Sequence, residues 1–178
     1  MGIPTLISTS TASGASTVSI TSGIDSTYDE YMFVFTDVGP ATDNVDFQFQ
    51  GSIDSGSNYN VTMTTTTFNA ANAEDDSGSA LNYETGVDQA QGTAFQDLAS
   101  DVGNGSDESC AGILHIFSPS STTYVKHFYA RMYEYHRSNL NIDRFLGGYF
   151  NTTDDINAIQ FKMSSGNFDG VIQMYGIA

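Results

Sequence analysis

The first 125 residues contain neither lysine nor arginine. The five basic residues of the chain, Lys126, Arg131, Arg137, Arg144 and Lys162, all lie in its C-terminal third, where Glu134, Asp143, Asp154, Asp155 and Asp169 balance them. The other sixteen acids therefore account for the whole net charge of −16. Such a surface repels phosphates and anionic headgroups, with no counterion release to favour contact, so neither nucleic acid nor a membrane surface is expected as a partner. The same bias keeps a protein soluble when crowded and discourages edge-to-edge pairing of sheets.

Cysteine is nearly absent too. Cys110 alone excludes an internal disulfide and a cysteine-based zinc site. No apolar run approaches the roughly 20 residues of a spanning helix. The opening MGIPTLISTSTASG lacks the basic and apolar regions of a signal peptide, so folding in a reducing cytoplasm is expected. Nucleophile elbows, phosphate loops and H-E-x-x-H pairs do not occur.

What is present favours strands. Leu is scarce, and Val, Ile, Tyr, Phe and Thr carry the apolar pattern, with 22 aromatics among 178 residues, enough to fill one core. Residues 1–15 are Ser/Thr-rich and read as an arm or lead-in, leaving 16–178 as a single domain. Strands are predicted around Val18–Ile20, Tyr31–Phe35 (apolar on both faces), Val45–Gln50 and Tyr59–Thr67. Further ones are predicted at 80–84, 113–117, 123–136 and 145–150, the last with a bulge at Gly147-Gly148. Residues 156–163 and 171–177 read as a closing hairpin, and 88–98 admits a helix. The whole predicts an all-β antiparallel sandwich, jelly-roll-like, of about eight to ten strands.

Little in this pattern resembles catalytic chemistry. His127 and His136 are an odd number apart and would face opposite sides of one strand, which disfavours a shared metal. With 21 acids, some carboxylate pair will meet any glycosidase spacing by chance. Most of them sit in turns, where Asp supports the backbone. No cofactor is expected; calcium held by loop carboxylates is the lesser alternative. The distinctive local chemistry is a Tyr/Arg cluster: Tyr124, Tyr129, Arg131, Tyr133, Tyr135, Arg137 and Arg144. These residue types are enriched at protein interfaces and on sugar platforms, and an interface is the reading carried forward. The plain alternative is a sandwich face whose rings cover the core.

The run 21–31, TSGIDSTYDEY, resembles the "SGIDSTYxxY" opening of small structural proteins of tailed bacteriophages, marine ones especially. Pieces at 40–43, 56–59, 102–105 and 157–161, and the close SGNFDG followed by MYGI at 174–177, resemble the same family. The resemblance implies a non-enzymatic virion protein with a β-sandwich fold and no active site to carry over. It would be made in the host bacterial cytoplasm and carried on the virion surface, as a capsid decoration or cement protein or a fibre-associated module. Its expected partners are the major capsid protein or fibre components and further copies of itself, a trimer being favoured. The alternative is a receptor-recognition module for host-surface glycans, with Tyr133, Tyr135 and His136 or Tyr149 and Phe150 as platform.

Overall fold

A computed structural model describes residues 2–178. The chain is all-β: thirteen strands, every pairing antiparallel, with no helix among the described residues. One layer runs β1 (Thr5–Ala15), β13 (Phe168–Ile177), β3 (Glu30–Pro40), β9 (Cys110–Phe117), β10 (Lys126–His136), β11 (Leu140–Phe150) and β5 (Met63–Ala73). Beyond β5 lie β6 (Ser79–Tyr83) and the short β7 (Ala90–Gly92). The second layer runs β8 (Gln96–Val102), β4 (Val45–Ser52), β12 (Ala158–Met163) and β2 (Thr17–Ile20). The layers join at one corner through the His136–Val102 pair. At the opposite corner the chain itself passes from β1 into β2. The result is a sandwich nearly closed into a barrel, which leaves few open edges.

Phenylalanines fill the space between the layers. Phe33, Phe35 and Phe168 of the large sheet meet Phe47 and Phe161 of the small one, with ring centroids 5.2–5.9 Å apart. Phe49 takes the edges of Phe128 and Phe150 at 5.3 and 6.1 Å. These offset and edge-on contacts are the favoured aromatic geometries. Strict alternation puts Phe47 and Phe49 inside while Asp46 and Gln48 look outward, as a half-buried strand requires.

Several expectations change. The lead-in segment is strand β1, hydrogen-bonded to β13 along most of its length. Residues 88–98 hold β7 and the start of β8 rather than a helix. Their apolar residues are too few to cover a helical stripe, and two buried glutamines pin the segment extended. Gln50 Nε2 donates to the carbonyls of Thr93 and Ala94, while Gln96 Nε2 donates to that of Val87. The stretch 156–177 is not a hairpin: β12 pairs with β4 and β2, whereas β13 pairs with β1 and β3. The turn at 164–167 hands the chain from one layer to the other. No bulge occurs at Gly147-Gly148, where β11 stays in register with both neighbours. Gly148 is there for space: a Cβ would sit 2.7 Å from the Thr64 carbonyl and 2.9 Å from Phe128 Cζ.

Candidate functional site

Alternation along β10 places Tyr129, Arg131, Tyr133 and Tyr135 on its outward side and Lys126, Phe128, Ala130, Met132 and Glu134 inward. Pairing with β9 and β11 then sets Tyr129 beside His115 and Arg131 between Ile113 and Phe145. Tyr129 lies flat on His115 (4.7 Å between centroids) and near Phe117 at 5.9 Å. Beneath it, His115 Nδ1 contacts the Glu30 carboxylate. Burial, helped by Glu30, raises the Tyr129 hydroxyl above its ordinary pKa.

Arg131 organises the centre of this face. Its guanidinium binds Asp143 through two bonds of 3.0 and 2.7 Å, which raises its pKa further. The same group lies 5.1 Å from the Tyr133 centroid and 4.8 Å from that of Phe145. Phe145 in turn stacks on Phe68 of β5 at 4.9 Å, with planes 4° apart. A ladder of flat groups, Phe68–Phe145–Arg131–Tyr133, therefore crosses three strands. Beside it Tyr135 donates to Glu74 Oε2 at 2.9 Å, and this bond raises the phenol.

The expected cluster is thus partly gathered. Tyr129, Arg131, Tyr133 and Tyr135 share the outer face. Tyr124 is exposed in the loop before β10, and Arg137 is exposed in the β10–β11 turn, 3.7 Å from Asp101. Arg144 does not belong to this surface. It is 3% exposed and points between the layers, where Nη2 donates to Glu134 Oε1 at 3.0 Å. Glu134 also accepts from the Ser100 amide at 3.0 Å, tying β10 to β8. Burial pushes Glu134 up to about 7 against the pull of Arg144. The parity of β11 held the signal: Arg144 shares a side with Ile142 and Leu146, both core residues. His127 and His136 occupy opposite sides of β10, His127 outward.

Sequence reasoning missed the outward aromatics of other strands: Phe68, Tyr83, His115 and Phe117. Their individual strands do not mark them; only the sheet register gathers them. Exposed Leu81 and Tyr83 on β6 extend the band to its edge. Among the described residues no group of three or more His, Cys, Asp or Glu is placed to hold a metal ion. In the open acidic cleft of Asp37, Asp107, Glu108 and Asp169, two of the carboxylates are held by backbone, Asp169 by the Gly14 amide and Glu108 by that of Gly105.

The chain matches no protein-family model, no curated protein and no solved structure.

Proposed function

We propose that this chain is a non-enzymatic structural protein of a tailed-phage virion, a capsid decoration or cement protein or a fibre-associated module. It docks a neighbouring virion protein through the outer face of β9, β10, β11 and β5. One observation carries the reading: Phe68, Tyr83, Tyr129 and Tyr133 are all substantially exposed on one face of an otherwise strongly acidic molecule. The charges within that face are answered locally, Arg131 by Asp143 and Glu30 by His115. Exposed apolar surface of this kind marks interaction sites. Tyr and Arg held in place beforehand lose little freedom on binding, which is what a hot spot needs. The phage assignment itself is supported by the ordered sequence pieces at 21–31 and 165–177. In a cement role, copies of the chain would close cyclically around capsomer seams, a trimer being the favoured ring.

The test is direct. Purified chain is mixed with expanded, empty shells of the cognate phage, and shell melting is followed with and without it. Raised melting that is lost in a Tyr129→Ser/Tyr133→Ser variant supports the reading. Absence of binding to shell and to fibre components alike overturns it.

A further inference from the structure

One edge of the large sheet stands open. Among the described residues β6 is the one strand whose five residues are all exposed, Leu81 at 76% and Tyr83 at 60%. It pairs with β5 alone, in unbroken register. That register fixes which backbone groups are free. The Ala73 amide donates to the Gly78 carbonyl and the Glu84 amide to the Thr67 carbonyl, so within β6 the residues bonded to β5 are Ala80 and Asn82. Ser79, Leu81 and Tyr83 therefore turn their N–H and C=O groups to the open side. An exposed row of such groups is a template for a further strand.

Edges are ordinarily blunted by a lysine, a proline or a bulge. β6, Ser-Ala-Leu-Asn-Tyr, has none of these, whereas the edge at β1 is broken by register shifts at Leu6/Ser8 and Ala12/Ala15. What guards β6 is charge at its two ends: Glu74, Asp75 and Asp76 in the turn before it, Glu84 and Asp88 after it. This arrangement chooses among occupants. A second copy paired antiparallel about Leu81 would set residues 74–76 of each chain against residues 86–88 of the other, acid end to acid end, which like charges oppose. A strand with lysine or arginine beyond both ends of an uncharged stretch meets the same two clusters with opposite sign. Between them the surroundings are apolar: Leu81 and Tyr83 on the outer side, and an open groove of Ala71, Ala80 and Leu140 on the inner one.

We propose that β6 takes up an extended segment of a second protein as a further strand of the sheet, an uncharged stretch matching its five residues and flanked on both sides by lysine or arginine. Main-chain hydrogen bonds to Ser79, Leu81 and Tyr83 hold the segment, and the acidic ends set its charge preference. The inference deepens the docking reading and rests on it for the existence of a protein partner, but it uses neither Tyr129 nor Tyr133.

The experiment titrates the whole, isotope-labelled chain with a peptide of alternating valine and threonine that carries paired lysines at each end, and with the same core ended by glutamates. The lysine peptide shifts the amide signals of Ser79, Leu81 and Tyr83 and slows their hydrogen exchange, with a Kd in the millimolar range or tighter. The glutamate peptide binds at least tenfold more weakly, and salt narrows the gap. Leu81→Pro removes one outward donor and spares the ladder to β5, since proline is tolerated where its missing N–H would face solvent. It weakens the lysine peptide at least tenfold, as does Leu81→Lys, which guards the edge without altering the backbone, while Tyr133→Ser leaves binding unchanged. Three results would each overturn the proposal. One is no shift at these amides with the lysine peptide at up to about 10 mM, above the Kd of weak binding. Another is equal binding of both peptides. The third is self-association of the chain alone that Leu81→Pro abolishes, which makes a second copy the occupant. Peptide capture by a chain that ignores shells and fibre components supports the edge and defeats the docking face; shell binding without peptide capture does the reverse.

Discussion

Gly176 lies against the ring of Tyr28, so closely that a Cβ on it would overlap the aromatic carbons. Tyr28 also meets the edge of Tyr31 at 5.9 Å. The Tyr31 hydroxyl donates to the Asp25 carbonyl and accepts from its amide, both at 3.0 Å. The opening piece at 21–31 and the closing piece at 174–177 thus form one packed unit. Gly176→Ala should cost about 1–3 kcal/mol, the usual penalty for overfilling a tight site. Urea denaturation measures it. In a Tyr28→Ala background most of that cost should vanish, as a double-mutant cycle would report.

Stability should rise on mild acidification. Burial pushes Asp97 up to about 6 and Glu134 to about 7, each above its unfolded value. A carboxyl with a raised folded pKa gives stability that is complete below the unfolded pKa and is lost as pH climbs through the folded one. The melting temperature should therefore climb between pH 8 and pH 5. Below that the trend reverses. Hydrogen bonds from Asn58 and Ser52 hold Asp54 down at about 2, and those from Thr27 and Ser77 lower Asp25 and Asp75. Their contribution is lost as pH falls through those depressed values. Asp97→Asn should flatten the upper limb, and a calorimetric pH series would show it.

The aromatic band should be separable from stability. Tyr133→Ser removes an exposed ring and should change folding free energy by about 0.5 kcal/mol or less, whereas Tyr129→Ser also loses the stack on His115 and should cost about 0.5–1.5 kcal/mol. Arg131→Ala breaks a half-exposed ion pair, a kind of contact that adds little to stability. A melting curve near wild type for Tyr133→Ser, together with lost shell binding, is expected. A variant that unfolds would instead mark these rings as core cover.

Gln50 holds the crossing loops. Its single amide nitrogen serves the carbonyls of Val61, Thr93 and Ala94 at 3.0–3.2 Å in a fully buried position. Gln50→Leu keeps the volume and strands three acceptors, at a cost of about 1–3 kcal/mol or more. Hydrogen exchange should speed up in residues 59–62 and 89–95 before it does elsewhere.

Much of the fold was legible where alternation is strong. Val45–Gln50 and 126–136 show their inner and outer sides directly. Pairing was not legible, because neighbours in space come from distant sequence: β13 lies between β1 and β3, and β12 between β4 and β2. Local turn chemistry at 164–167 suggested a hairpin, yet both flanking strands find better apolar cover in separate layers. The same limit applies to the functional surfaces. The tyrosines of β10 announce an outward row, whereas Phe68 and His115 join it only through register. Arg144 reads as an interface residue by type, and only its parity with Ile142 and Leu146 places it inside.

The placement of the few cations has a further effect. Lys126 and Arg144 are wholly enclosed, Arg131 is clamped by Asp143 in the middle of a strand, and Lys162 lies within β12 over the Phe95 ring. Only Arg137 stands at a turn, between β10 and β11. A protease that cuts after basic residues needs an extended, unpaired stretch in its cleft. It would find the folded molecule open at that single hairpin tip, and a nick there would leave two halves still clasped by the pairing of both strands to their other neighbours.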